Sequence, residues 1–460
     1  MRFALAMLAG KLTALATKIV SKFSKINGTN FPGIVVLKIC PDFIGKVNRP
    51  KTVIGVTGTN GKTTTSNMLA DVLRNAGYKV LNNSYGSNIK FGIAACLLNG
   101  VTLFNKEKYE IGVLEIDERS CLRIYPYLKP DYIVVTNLTR DTLYRNAHPY
   151  YIFNLLNEYI PDETTMILNA NDLISSRLKP NNKHIFYGVD KMEGDTADDI
   201  NLENDARVCP VCHNLTKYEY RKYNQIGSIY CPSCGYHTPE PDFAACELDY
   251  ENKRVTVRHG EELIKANMAS NSIFNNYNQT AVISVLKELG LSNEKIEKAF
   301  EGINIVSSRY QQPEVINDVK IITIMAKGGT PAISGVLDYV RNEPGEKEVV
   351  LYLEDSKLNS TYSEHMVWLY ENDFEFLNDE NISHVVTCGV REDDVDLRLL
   401  LAGIPEEKIT LAHTVDNVAD TLYLKKGTSV YIVHDIFKME DRDLTKKLIK
   451  ERLNSGEQND

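Results

Sequence analysis

Short apolar runs rich in Val and Ile, each closing on polar or glycine positions, alternate along this chain with stretches whose apolar residues fall at helical intervals. The runs at 52–56, 79–82, 111–115 and 132–136 read as strands, and the span from a Gly-rich turn to about residue 76 reads as a helix. Such alternation predicts a parallel sheet covered by helices on both faces, with ligand sites at the carboxyl ends of its strands. Residues 195–243 break the rhythm with polar, Cys- and Tyr-rich sequence and read as an insertion. A helix at about 275–289 resumes the pattern. Past a boundary near 312–319, runs at 321–325, 348–353, 384–388 and 429–433 alternate with helices and predict a second, smaller α/β domain. No internal repeat is visible, and only the tail 455–460 reads as disordered.

The first 23 residues combine the apolar run Phe3-Ala-Leu-Ala-Met-Leu-Ala9 with Lys11, Lys18 and Lys22, which fits an amphipathic helix better than a signal peptide. We expect this helix to pack on the domain behind it; the alternative is an anchor at a membrane surface. No run of eighteen apolar residues occurs, so no bilayer-spanning segment is expected. A formal charge of −9 argues against general nucleic-acid binding, and the 25 tyrosines are spread along the chain rather than set in a basic patch. Nine cysteines without a convincing export signal point to a reducing, cytoplasmic compartment and to free thiols.

The chemistry concentrates in Val53-Ile-Gly-Val-Thr-Gly-Thr-Asn-Gly-Lys-Thr-Thr-Thr65. An apolar run that breaks into a glycine turn ending in Lys-Thr is the composition of a nucleotide phosphate cradle. Gly58 and Gly61 let backbone N–H groups face inward, with Thr59 and Asn60 between them and Thr64 in the first helical turn. Lys62 supplies a charge for the outer phosphates, and the Thr63 hydroxyl suits Mg²⁺. Glu115 ends a strand, with Asp117 and Glu118 close behind, and is placed to hold the same Mg²⁺. Cys209-Pro-Val-Cys212 and Cys231-Pro-Ser-Cys234, eighteen residues apart, suit a Cys₄ zinc ribbon, and four thiolates mark a structural rather than a catalytic metal. A redox dithiol is the competing reading.

Val56 stands where strict P-loop spacing calls for Gly, and Thr57-Gly-Thr-Asn-Gly-Lys-Thr-Thr64 resembles the variant loop of the Mur ligase family. The layout is similar to MurT subunits of lipid II isoglutaminyl synthase throughout, from residues 35–41 through Tyr85-Gly-Ser-Asn88, Val113-Leu-Glu-Ile-Asp-Glu118, Val135-Thr-Asn-Leu-Thr-Arg-Asp141 and Leu168-Asn-Ala-Asn-Asp172. The Cys₄ insertion, Phe274-Asn-Asn-Tyr-Asn-Gln-Thr-Ala281 and Cys388-Gly-Val-Arg391 with Arg398 extend it. The resemblance implies a Mur-type α/β ATP-binding domain (51–315) behind an N-terminal helix and lead-in (1–50), a zinc-ribbon insertion (195–243) and a C-terminal α/β domain (316–460). It further implies ATP- and Mg²⁺-dependent amidation of the D-glutamate α-carboxylate of the lipid II stem peptide through an acyl phosphate. The ammonia would come from a GatD-type glutaminase in a heterodimer. On this match Asn278 faces adenine, Arg309 the phosphates and Glu115 the magnesium. Lys62→Ala is expected to abolish turnover and leave the fold intact, because it removes a charge and no core volume.

The pattern departs from the family at several places. Thr142 follows Asp141 where MurT proteins carry Gln and other Mur ligases His, and Tyr144 and His148 stand where acids are usual. Lys327-Gly-Gly-Thr-Pro331 lacks the customary Asn after Lys. In His365-Met-Val-Trp-Leu-Tyr-Glu-Asn-Asp-Phe-Glu375, His365 replaces the Asp that completes the partner's glutaminase triad, with Glu364 the nearest carboxylate, while Trp368, Asp373, Phe374 and Glu375 fit. Val433-His-Asp-Ile-Phe437 replaces the family's Tyr-rich C-terminal motif. Two alternatives therefore stay open: a carboxylate–amine ligase on another substrate without a glutaminase, and a non-catalytic scaffold that retains nucleotide.

Overall fold

Ile54 and Val56 bury their side chains in one apolar layer and Val53 in the layer on the other side of the same strand, so this strand has a core on both faces. The same alternation recurs at Val113 against Leu114 and at Ile167 against Met166 and Leu168, which is the sequence signature of an interior parallel sheet. In the computed structural model, residues 1–23, 29–83, 87–140, 148–198, 200–202, 204–303, 313–326, 330–353, 367–435 and 438–455 are described. The chain divides into two units, one of residues 1–139, 148–198 and 205–305, the other of residues 140–147, 199–204 and 306–460.

The first unit runs α1 (Arg2–Phe23), α2 (Phe31–Ile39), α3 (Phe43–Lys46), β1 (Thr52–Thr57), α4 (Lys62–Asn75), β2 (Val80–Asn82), α5 (Lys90–Gly100), β3 (Ile111–Glu115), α6 (Cys121–Ile124), β4 (Tyr132–Val135), α7 (Pro149–Tyr159), β5 (Thr165–Asn169) and β6 (His184–Val189). It continues with β7 (Lys217–Tyr223), β8 (Ile226–Tyr230), β9 (Phe243–Asp249), β10 (Arg254–His259), β11 (Glu262–Asn267), α8 (Ile273–Glu288) and α9 (Asn293–Ala299). Its main sheet has the order β11-β10-β9-β6-β5-β4-β1-β3-β2. Pairing is parallel from β2 to β9, and β9–β10–β11 close the edge as an antiparallel ribbon. This ribbon is a finding that the sequence pattern did not announce. β1 lies between β3 and β4, so the chain leaves it toward one side and later returns on the other. That reversal opens a crevice at the carboxyl end of β1, where ligands bind in open α/β sheets.

Helices α4 and α8 contribute to one layer, with Met68, Leu69, Val72 and Leu73 meeting Tyr277, Val282 and Leu286. Helices α1, α2, α5 and α7 contribute to the other. Helix α4 ends at Gly77, whose φ of 94° allows the Tyr78 N–H to bond the Leu73 carbonyl at 3.0 Å.

Helix α1 departs from the expected amphipathic pattern. Ala6, Met7 and Gly10 are buried against α2 and α5, yet Leu5, Leu8, Leu12, Leu15, Ile19 and Val20 are exposed on the other side. Lys11 points inward and donates to the Leu98 and Val101 carbonyls, both at 2.6 Å, which satisfies the end of α5. Burial, with Lys108 nearby, lowers its ammonium to about 8. The expectation that no segment could span a bilayer is corrected in one respect: Arg2–Ser21 is long and apolar enough to do so by length and composition. The sequence criterion missed it because Arg2, Lys11 and Lys18 interrupt any continuous apolar run.

The second unit runs β12 (Glu314–Ile316), β13 (Val319–Met325), α10 (Thr330–Asn342), β14 (Lys347–Tyr352), α11 (Val367–Glu371), β15 (Ile382–Thr387), α12 (Glu392–Leu401), β16 (Ile409–Leu411), α13 (Val415–Thr421), β17 (Ser429–His434) and α14 (Met439–Ser455). Its sheet has the order β12-β13-β17-β14-β15-β16, parallel except for the β12–β13 pair. Arg398 fastens the turn after α11: it donates to the Leu369 carbonyl at 3.1 Å, the Asn372 carbonyl at 2.8 Å and both Glu375 oxygens at 2.9 and 2.8 Å, with Phe374 under its guanidinium.

Close approach between α2 and α5 depends on Gly33, where an added Cβ would lie 1.7 Å from the Phe91 carbonyl oxygen. Gly33→Ala should therefore force the two helices apart and cost about 2 kcal/mol or more. Chemical denaturation of the variant checks this; an unchanged midpoint would mean that the helices separate freely.

Candidate functional site

Residues Gly58 to Gly61 connect β1 to α4 as a loop that only glycine fits at its two ends. Gly58 has φ of 126°, and a Cβ there would lie 2.2 Å from Thr136 Oγ1 and 2.9 Å from the Asn137 carbonyl. Gly61 has φ of 85°, and a Cβ there would lie 2.7 Å from Asn278 Oδ1. The loop is stitched to the segment after β4. Thr136 Oγ1 donates to the Asn60 carbonyl at 2.6 Å, Thr59 N to the Asn137 carbonyl at 2.8 Å, and Thr139 N to Thr59 Oγ1 at 3.1 Å. Asn60 N–H reaches Asn137 Oδ1 at 3.2 Å. The first-turn N–H groups of α4 have no partners within the helix and carry its positive dipole end, a disposition that suits phosphate.

Lys62 folds back over this loop. Its ammonium donates to the Gly58 and Thr59 carbonyls and pairs with Glu118 Oε1 at 2.7 Å. Both side chains of the pair are nearly covered, at 12% and 11% exposure. Burial raises the Glu118 carboxyl above its usual range, and Lys62 opposes that rise. Glu118 is the residue that sequence reasoning left without a role. Its motif was visible, but the turn after β3 decides which acid faces the loop. Removing the Lys62 charge leaves a covered carboxylate without its cation, so the expectation that Lys62→Ala leaves the fold untouched is revised.

Glu115 closes β3 beside Val56 of β1, two residues before Gly58. It is 3% exposed, its Oε1 accepts from Asn88 Nδ2 at 2.9 Å, and Asn83 bonds its N–H and its carbonyl, each at 2.8 Å. Glu115 is the carboxylate at this strand end that would help hold Mg²⁺. Thr63 is exposed on the first turn of α4 and Thr64 half-covered. Asn278 on α8 is buried, bonds Asn275 Oδ1 at 3.3 Å and stands against Gly61. The structure thus gathers the loop, Lys62, Thr63, Glu115 and Asn278 in the first unit at the carboxyl end of β1. Arg309, Glu364 and His365 lie outside the described residues, as do Asp141, Thr142, Tyr144, Tyr85 and Lys327.

The second constellation sits on the hairpin β7–β8. The Sγ atoms of Cys209, Cys212, Cys231 and Cys234 all lie within 4.8 Å of one another. Cys209 approaches Cys234 at 3.6 Å and Cys212 approaches Cys231 at 3.4 Å. Tetrahedral zinc with bonds of about 2.3 Å sets sulfurs about 3.8 Å apart, so the four residues fit a Cys₄ ion, whereas a disulfide needs about 2.05 Å. Each knuckle turns through a left-handed residue, His213 at φ 62° and Gly235 at φ 74°, which brings the His213 and Gly235 N–H groups back to the carbonyls of Cys209 and Cys231. A hydrogen bond from the Asn214 side chain leads the factors that hold the Cys212 thiol down at about 6, while, against a backbone hydrogen bond at Tyr236, desolvation and contact with the other three sulfurs push Cys234 up to about 12, so the four thiols share protons as one group. The remaining cysteines form no disulfide among the described residues, and Cys40, Cys96, Cys121 and Cys388 are buried.

Comparison with known proteins gives the family resemblance of the chain. The Mur ligase middle domain matches residues 56–229 and the MurT ligase C-terminal family matches residues 331–439. The glutamine-hydrolyzing lipid II isoglutaminyl synthase subunit MurT of Staphylococcus aureus is 30% identical over 397 residues, 86% of each chain. Its counterpart from Streptococcus pneumoniae is 27% identical over 436 residues, 93% of this chain and 95% of that one. Among solved structures, a pseudomurein peptide ligase type C from Methanothermus fervidus aligns with a TM-score of 0.67 at 20% identity, over 89% of this chain and 81% of its own. MurF ligase from Thermotoga maritima in complex with ADP aligns at 0.58 and 16%, over 92% and 85%. The last two support the fold alone.

Two outcomes follow. Lys62→Ala should lower stability by about 2–3 kcal/mol by stranding Glu118, and adding Glu118→Gln should recover part of that loss in denaturant titration; equal stability of the single variant and the parent would show that the pair is already solvated. Cys231→Ser, or treatment with a strong chelator, should release one zinc per chain and lower the thermal midpoint. Metal analysis that finds no zinc in the parent protein would remove the Cys₄ assignment.

Proposed function

The chain belongs to the Mur ligase family, in the branch of MurT subunits, and from that membership we propose that it is the ATP-dependent ligase subunit that amidates the stem peptide of lipid II, working with a glutamine-hydrolyzing partner. At the finer level, ATP phosphorylates the D-glutamate α-carboxylate, and ammonia from a GatD-type glutaminase displaces phosphate to give D-isoglutamine. A cytoplasmic site of action follows from where such precursors and ATP meet. The single observation that carries the reading is the Gly58–Lys62 loop at the sheet's reversal point, with Glu115 on the neighbouring strand end.

The parts have distinct work. A carboxylate resists attack until its oxygen becomes a leaving group, and the transfer that achieves this spreads negative charge over the moving phosphoryl. The N–H groups of α4 face that charge in fixed positions, so little reorganisation of them is needed when it develops, and the Lys62 ammonium joins them once it turns from Glu118. Mg²⁺, held by Thr63 and Glu115, would neutralise phosphate charge when bound. Asn278 is assigned to adenine and Arg309 to the phosphates. Lys62 has to leave the Glu118 carboxylate to serve, so Glu118 acts as its holding partner. Glu364 and His365 are assigned to the neighbourhood of the partner's triad. Free ammonia is mostly protonated near neutral pH, and ammonium has no lone pair to attack with, which is why a docked ammonia source suits this reaction.

ATP turnover measured with ammonium and a D-isoglutamyl lipid II acceptor, with and without the partner, tests the reading. ADP release should require both acceptor and ammonia, and Lys62→Ala should lower kcat about a hundredfold or more. Turnover with another acid and no ammonia would instead select the ligase that uses no glutaminase. ATP binding without turnover under every combination would select the scaffold.

A further inference from the structure

Helix α1 has two apolar faces, and only one is covered. Ala6, Met7 and Gly10 are buried, and Gly10 sits so close to Val36 that an added Cβ would lie 2.3 Å from its Cγ1. On the opposite face Leu5, Leu8, Leu12, Leu15 and Ile19 fall three and four residues apart, and each keeps between 48% and 59% of its surface exposed. Five large aliphatic side chains along one line of a 22-residue helix form a continuous apolar strip, far beyond the scattered single exposures normal on soluble domains. Residues 1–41 carry six basic side chains, Arg2, Lys11, Lys18, Lys22, Lys25 and Lys38, and no Asp or Glu, in a chain whose formal charge is −9.

We propose that α1 lies flat on a bilayer surface that bears anionic lipids, with the leucine strip in the acyl boundary and the exposed Arg2 and Lys18 side chains at the headgroups. A helix with one face committed to protein and the other to Leu and Ile suits an interfacial position. Charge selects the occupant: a segment with positive side chains and no negative ones is attracted by an anionic surface. The spacing of the strip also fits the seam of a helix pair. In a two-fold pair of this segment, however, basic flanks would face basic flanks with no acid to compensate. A spanning orientation is disfavoured by Lys11. It stands at the middle of Arg2–Ser21 with its ammonium bonded to the Leu98 and Val101 carbonyls, and crossing would break both bonds and carry the charge to the bilayer centre. The proposal rests on α1 alone and holds or fails separately from the amide-forming reading.

The test is co-sedimentation of the full-length chain with vesicles of phosphatidylcholine alone or of phosphatidylcholine mixed with phosphatidylglycerol. The parent protein should sediment with the anionic vesicles, weakly or not at all with the neutral ones, and less as salt rises. Leu12→Glu with Leu15→Glu should weaken the vesicle partition about tenfold or more. Both side chains are exposed, so circular dichroism and the thermal midpoint should stay at the parent values. Lys18→Glu should weaken anionic binding with the strip intact. Failure of the parent to bind anionic vesicles, or equal binding by the Leu12/Leu15 variant, overturns the proposal. So does light scattering that shows a dimer which the same variant converts to monomer.

Discussion

The constraint on which the nucleotide end of this molecule depends is the close fit between the 58–61 loop and the segment that follows β4. Two glycines make it possible, because any side chain at Gly58 would occupy the space of Thr136 and Asn137. In return, Thr136, Asn137 and Thr139 satisfy loop groups that would otherwise face a crevice unpaired. A loop held at four or more points, two of them through the Thr59 and Asn60 N–H groups, fixes the start of α4 and so keeps the first-turn N–H groups of that helix in place. That matters for phosphoryl transfer, where the protein contributes mainly by positioning charge. The parallel order β3-β1-β4 supplies the frame: β1 delivers the loop, β3 delivers Glu115, and β4 delivers the clamp.

Within that frame the Lys62–Glu118 pair has a cost and a use. Covering a carboxylate beside one ammonium sacrifices hydration of both, and the raised Glu118 carboxyl records the imbalance. The Gly58 and Thr59 carbonyls satisfy more of the ammonium's donors, so Lys62 is better provided for than its partner. An arrangement of this kind keeps the lysine ordered over the loop instead of free in solvent. A triphosphate offers more negative charge than a single carboxylate, so exchange of partners would run toward a bound nucleotide.

The sequence made the local features legible and hid the long-range ones. The glycine loop and the paired Cys knuckles are each a few residues wide, and their chemistry follows from residue type and spacing. Strands at 52–56, 111–115 and 132–136 were readable because a sheet buried on both faces leaves unbroken Val and Ile runs. The β9–β11 ribbon was not, since its strands mix buried Val and Ala with Arg, Lys and Glu at an edge and imitate an irregular insertion. Glu118 was quoted within a motif without a task, because its partner lies 56 residues away and a short turn decides its direction. Lys11 misled in the other sense: a lysine in an apolar helix suggests a solvent face, but here it bonds the end of α5 and leaves the leucines outside.

The Cys₄ hairpin shows why a small appendage needs chemistry beyond burial. Its own apolar cluster is Ala206, Tyr218 and Ile229 with Leu173 beneath them, Ile226 at the start of β8 packing instead into the main core, while Val208, Val211 and Leu215 around the first knuckle are exposed. So small a core contributes too little to order a two-stranded hairpin, which is marginal on its own in water. Backbone bonds within each knuckle fix the turn but not the distance between the two turns, and the four sulfurs are the groups that meet across that gap. A bound ion would join them and remove their mutual repulsion as thiolates. The metal would then stand where a larger domain has more Leu and Ile, and its loss would be felt first in the register of β7 on β8.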